Sequence, residues 1–133
     1  MIHQLTITTR GREQMIDVTS MVQKIVDESS SESGSVICFV PHTTAGITIN
    51  ENADPDVKTD ILYTLREQFP KSGRYAHAEG NSDAHIKASL MGFSLQVLFE
   101  RRSLVLGTWQ AIFFCEFDGP RSRRLIVKLV PHA

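Results

Sequence analysis

Apolar and polar positions alternate in two different rhythms along the chain. Near the N-terminus QLTITT and QMIDVT alternate with a period of two and predict two strands joined around Arg10–Glu13. Met21, Val22, Ile25 and Val26 then recur at helical spacing, and Thr19 is placed to cap that helix. SVICFV, 35–40, has no polar alternation, which predicts a strand covered on both faces. A loop with Pro41 and Gly46 leads into the strand GITIN. Asp54-Pro55 marks a helix start, and Val57, Ile61, Leu65 and Phe69 form its apolar stripe.

After a polar loop over 70–82, a further helix is predicted from near Ser82 to Gly92, with Ile86 and Leu90 packed inward. Three strands complete the pattern: SLQVLF, TWQAIFFCEF and RRLIVKLV, the last two joined by the turn DGPRS. Helices interrupt the strands without a βαβ rhythm. The expectation is an α+β chain, one compact domain over residues 1–133, with a largely antiparallel or mixed sheet and two to three helices.

A chain of 133 residues with 41% apolar and 22% charged positions has the composition of a globular core, not of a disordered segment. The net charge of −1 and the lack of a basic tract argue against a nucleic-acid partner. RSRR at 121–124 is short and reads as a solvated strand end. No apolar run approaches the ~18 residues that spanning a bilayer requires, so no membrane partner is expected. Cys38 and Cys115 sit inside apolar runs, as buried thiols of a reducing compartment do, and the expected location is cytoplasmic.

Candidate chemistry centres on His42, His77 and His85. His42 ends a buried strand and is followed by Thr43, Thr44 and Gly46, which supply hydroxyls and an approachable backbone. His77 and His85 are eight residues apart, with Glu79, Asn81 and Asp83 between them. Three imidazoles with an open position are a ligand set for catalytic zinc, and the carboxylates would orient ring nitrogens. The spacing is not a tight ligand motif; an ordinary loop histidine and an exposed polar loop are the plain alternatives. On the strand 109–117, Gln110 and Glu116 fall on a mostly apolar face, so both are expected to be buried. A buried carboxylate needs a partner, which Arg121 or Arg123 could supply; otherwise the segment is a pocket floor with Arg121 holding a phosphate or carboxylate. Trp109 reads as core before it reads as a stacking platform.

Three stretches, HTTAGITINENADPDV, HAEGNSDAHIKASLMG and LVLGTWQAIFFCEFDGPR, together resemble the YjbQ family, described as secondary thiamine-phosphate synthases. They span most of residues 42–121, and no departure from the family pattern falls inside them. The resemblance implies a compact α+β subunit in a homotrimer, with a histidine-lined pocket that binds a metal such as zinc in some relatives. The implied reaction joins a pyrimidine diphosphate to a thiazole phosphate and releases pyrophosphate. His42, His77 and His85 fall on the family's histidines, and Asn81, Asp83, Trp109, Gln110, Glu116 and Arg121 lie in its motif stretches.

The leading expectation is a metal-binding enzyme with His42, His77 and His85 as ligands. His42, His85, Asp83 and Glu116 are its catalytic candidates, and Thr44, Asn81, Trp109, Gln110 and Arg121 its substrate contacts. The cofactor expected is a divalent ion, zinc by donor type, or magnesium with a diphosphate substrate. Two alternatives use the same residues: a metal-assisted hydrolase of a small phosphorylated or acyl substrate, and a non-catalytic module that holds a ligand or ion.

Overall fold

The computed structural model describes residues 1–132. It contains eight strands and three helices among those residues. The strands are β1 (Ile2–Thr8), β2 (Gln14–Asp17), β3 (Gly34–Phe39), β4 (Ala45–Glu51), β5 (Ser94–Glu100), β6 (Ser103–Leu104), β7 (Gln110–Glu116) and β8 (Ser122–Pro131). The helices are α1 (Thr19–Glu28), α2 (Pro55–Gln68) and α3 (Ser82–Met91). All strand pairings are antiparallel. One sheet runs β1-β8-β3-β5-β6 and the other β2-β7-β4. The chain is thus the expected α+β type, with two antiparallel sheets in place of one.

The two sheets face each other across the larger core. Val36, Cys38, Val97, Phe99, Leu125 and Val127 of the first sheet meet Ile47, Ile112 and Phe114 of the second, with α1 adding Val22, Ile25 and Val26. β7 is the shared wall. Its other face, Ala111, Phe113 and Cys115, joins a second core roofed by Ala84 and Ala88 of α3 and by Ile61, Leu62 and Leu65 of α2. The order is therefore sheet, sheet, helices, and the outer face of the five-stranded sheet has no cover.

That open face corrects one expectation. β3 is central in its sheet, but Ile37 and Phe39 are exposed, so SVICFV is covered on one side only. Thr19 does not cap α1: Asp17 accepts its N–H, and its hydroxyl accepts the Ile112 N–H instead. Asp54 does cap α2, accepting the Asp56 N–H at 2.9 Å, with Pro55 in the first turn. The α2 stripe is half-buried, and no α2 side chain is fully buried.

α3 departs furthest from expectation. Its inward side carries Asp83, Ala84, Lys87 and Ala88, while Leu90 is 62% exposed and Ile86 only half-buried. Two alanines let the helix lie close to β4, and the charged residues find partners below. Gly46 permits that approach, since a Cβ there would lie 2.7 Å from the Gly92 carbonyl oxygen. Gly92 ends the helix with φ of 99°, a conformation glycine adopts without steric cost. Among the described residues, no helix is long and apolar enough to cross a membrane.

Candidate functional site

The histidines divide into a pair and a single ring. His77, in the loop before α3, and His85, on the first turns of α3, meet edge to face with centroids 5.4 Å apart and planes at 81°. They share an open cleft of about 450 Å³ with Arg74, Tyr75, Ser82 and Ile86. Glu79 Oε2 lies 3.7 Å from His77 Nε2 on the exposed side. His42 lines a different cleft, with Phe39, Val40, Pro41, Thr43 and Phe93, which shares no lining residue with the first. The expected cavity common to three imidazoles is therefore corrected to two clefts within one chain. Among the described residues, no three His, Cys, Asp or Glu side chains are grouped to hold one ion.

His42 is held by the backbone. The Arg124 N–H donates to its Nε2 at 2.9 Å. Burial, followed by the positive charge of Arg123 and Arg124, holds its pKa below the ordinary histidine range. A ring that accepts at Nε2 carries its single neutral-form proton on Nδ1. In this arrangement His42 is a hydrogen-bond donor and has no free lone pair for a metal.

The acidic candidates are committed elsewhere. Asp83 is fully buried; Arg12 grips both its oxygens at 3.0 Å and Lys87 Nζ donates to Oδ2 at 2.8 Å. Lys87, also fully buried, donates at 2.7 Å to Glu13, whose other oxygen accepts from Arg66 at 2.9 Å. Burial alone would raise the Asp83 pKa, but the hydrogen bonds from Arg12 and Lys87 outweigh it and the net shift is downward. Glu116 follows the same logic. It is buried, accepts from Arg123 through both oxygens and from the Thr9 hydroxyl, and is held below the ordinary range mainly by Arg123 against its burial. The pairing expected for a buried Glu116 is thus present, through Arg123. RSRR is correspondingly not a wholly solvated end, because Arg123 is buried.

The proposed substrate contacts are spread over three places. Thr44 is buried, and its hydroxyl accepts from Arg123 Nη2 at 2.8 Å. Asn81 and Arg121 converge on Asp118: both donate to its Oδ2, at 2.8 and 3.0 Å. Asn81 Oδ1 is buried without a partner among the described residues. Trp109 is 62% exposed and Gln110, exposed as well, accepts the Gly107 N–H, so neither enters a core. Arg12, Glu13, Lys87 and Arg124 were missed by sequence reasoning. One signal was available for Lys87: it lies one helical turn from Asp83.

Comparison with known proteins shows the family. The family model described as "UPF0047 protein YjbQ-like" matches residues 3–132. The chain belongs to the YjbQ/UPF0047 family. Within it, the chain is 49% identical over 130 residues to a UPF0047 protein of Methanocaldococcus jannaschii, covering 98% of this chain and 94% of that one. It is also 49% identical over 131 residues to the UPF0047 protein YugU of Bacillus subtilis, covering 98% and 99%. A crystal structure of a YjbQ/UPF0047 protein from Clostridium acetobutylicum superposes with a TM-score of 0.95 at 57% identity, covering 96% of this chain and 99% of that one.

Proposed function

We propose that this chain is a small metal-binding enzyme acting on a phosphorylated substrate, with His77 and His85 as the protein ligands of a divalent ion. The observation that carries this reading is the spacing of the two rings. Two imidazoles sharing one zinc ion at Zn–N distances of about 2.0–2.1 Å hold their centroids on the order of 5 Å apart. The 5.4 Å separation of His77 and His85 fits that donor chemistry, and His42 as held does not. An ion on this pair would keep open positions and lend Lewis-acid charge to a phosphate oxygen. The Glu79 carboxylate lies 3.7 Å from His77 Nε2, and Ser82 and Arg74 offer polar contacts on the cleft wall. Zinc suits two imidazoles best; a diphosphate substrate brings its own oxygen ligands and would also admit magnesium.

The reaction proposed is the one the family resemblance implies, joining a pyrimidine diphosphate to a thiazole phosphate with release of pyrophosphate. Pyrophosphate release by metal-replete protein tests it directly. The expected result is turnover lost in the metal-free protein and in His85→Ala. Turnover indifferent to both would remove the pair from catalysis.

The same reading includes a homotrimer. It is supported by apolar side chains that one chain leaves uncovered: Ile37, Phe39 and Leu98 on the open sheet face, and Leu90 on α3. A cytoplasmic setting fits two buried, unpaired thiols whose pKa values burial pushes up to about 12.

A further inference from the structure

We propose that Glu13 is the positioning residue of the His77–His85 pair: its single carboxylate clamps the end of α2 to α3 and so fixes both ends of the loop that carries His77. The consequence for ion binding rests on the proposed zinc site; the clamp itself does not.

The loop has little else to hold it. Residues 70–80 join α2 to α3, and all of them except Tyr75 are exposed. The Tyr75 hydroxyl donates to the Pro70 carbonyl oxygen at 2.6 Å, a bond inside the loop. Glu79, beside His77, is inside it as well. Among the described residues, no hydrogen bond ties 70–80 to a strand. A segment with so few buried contacts opens at low free energy unless its ends are held.

Both ends meet Glu13. α2 is lightly packed: none of its side chains is fully buried, and Ile61, Leu62 and Leu65 are half-buried against the second core. Arg66, in its last turn, donates through Nε to Glu13 Oε1 at 2.9 Å. On α3, two residues beyond His85, Lys87 Nζ donates to Glu13 Oε2 at 2.7 Å. Each oxygen of one carboxylate therefore holds a different helix. The Glu13 side chain is only 6% exposed, which strengthens these charge-assisted bonds. Burial would raise its pKa, but the hydrogen bonds from Lys87 and Arg66 outweigh it and keep the group charged.

The clamp is anchored on a sheet. Gln14, the next residue, pairs with Glu116 of β7, and the Arg12 carbonyl oxygen accepts the Gly119 N–H. A site supported by strands keeps its geometry better than one supported by loops. The two helices depend on Glu13 unequally. Without it, Lys87 keeps Asp83, which Arg12 also grips, so α3 and His85 stay seated. Arg66 has no second ion-pair partner among the described residues, so the α2 end is released. Loss of Glu13 thus frees the loop under His77 alone, and the rings lose their 5.4 Å spacing.

The test compares wild type with Glu13→Gln, Arg66→Gln and Val22→Ala. Amide exchange is measured on the metal-free full-length protein, and zinc affinity by titration, both at a temperature where every variant is folded. Val22 is buried in the larger core, so Val22→Ala destabilises the fold without touching the clamp. Glu13→Gln is expected to speed exchange over 66–80 by about tenfold or more relative to β7. It should also weaken zinc binding by about tenfold or more, the range for groups that orient metal ligands. Arg66→Gln, a change at an exposed side chain, should move both in the same direction, and Val22→Ala neither. Unchanged exchange over 66–80 in Glu13→Gln, unchanged zinc affinity in it, or an equal loss of affinity in Val22→Ala would overturn the proposal. A wild type that takes up no zinc defeats the ion site alone, and amide exchange in Glu13→Gln then decides the clamp: faster over 66–80 upholds it, unchanged removes it.

Discussion

Lys87 Nζ lies 2.8 Å from Asp83 Oδ2, one turn away on α3, and both side chains are fully buried. The helix that carries His85 is therefore seated by charge. Replacing Lys87 with Met leaves Asp83 and Glu13 without their shared cation in a site closed to water. Losing one partner of a buried ion pair costs about 3–5 kcal/mol. Urea unfolding of Lys87→Met should show a loss of that order, and a loss under about 1 kcal/mol would mean that α3 is held by apolar contacts after all.

Acid should unfold the protein through its buried carboxylates. Asp83, Glu13 and Glu116 all have folded-state pKa values below the ordinary range, because their cation partners outweigh burial. Their contribution is full above the unfolded carboxylate value of about 4 and is lost as pH falls through the lower folded values. The urea midpoint should be flat from neutral pH toward 5 and fall steeply below about 4. Glu116→Gln should lower stability at neutral pH, where it leaves Arg123 unpaired, and should make the acid fall shallower. A midpoint independent of pH across that window would contradict the assignment.

Gly46 tests the packing of α3 against β4. An alanine methyl there meets the Gly92 carbonyl oxygen at 2.7 Å and the Met91 Cβ at 3.2 Å. Backbone must move, so Gly46→Ala is expected to cost about 1–3 kcal/mol by thermal or urea unfolding. A neutral result would show that α3 shifts freely.

Leu90 separates the fold from the assembly. At 62% exposure its replacement by Lys should change the stability of one chain by no more than about 0.5 kcal/mol. If the exposed α3 side is a subunit contact, sedimentation should show wild type as a trimer and Leu90→Lys as a smaller species. A wild-type monomer at micromolar concentration would remove the trimer from the account.

The regular strands and α2 were legible in the sequence because burial follows their periodicity. Asp54-Pro55 announced α2 through its cap, and β7 announced its two buried faces through an unbroken apolar run. α3 was not legible by the same rule. Ile86 and Leu90 mark the apolar side of that helix, but its inward positions are taken by Asp83 and Lys87, which only long-range partners from the β1–β2 loop make tolerable. The RSRR cluster hid a similar division, with Arg123 inward to Glu116 and Arg124 outward. The identity of the three histidines could be read from the chain, but their separation into two clefts depends on which side of the sheets each loop reaches. The tautomer of His42 depends on a backbone N–H 82 residues away.

Zinc content of tag-free protein after equilibrium dialysis tests the central claim most directly, using wild type beside His77→Ala, His85→Ala and His42→Ala. The account predicts one ion per chain in wild type, loss of binding in the first two variants, and undiminished binding in His42→Ala. An ion-free wild type, or binding that disappears with His42→Ala and survives His85→Ala, would contradict it.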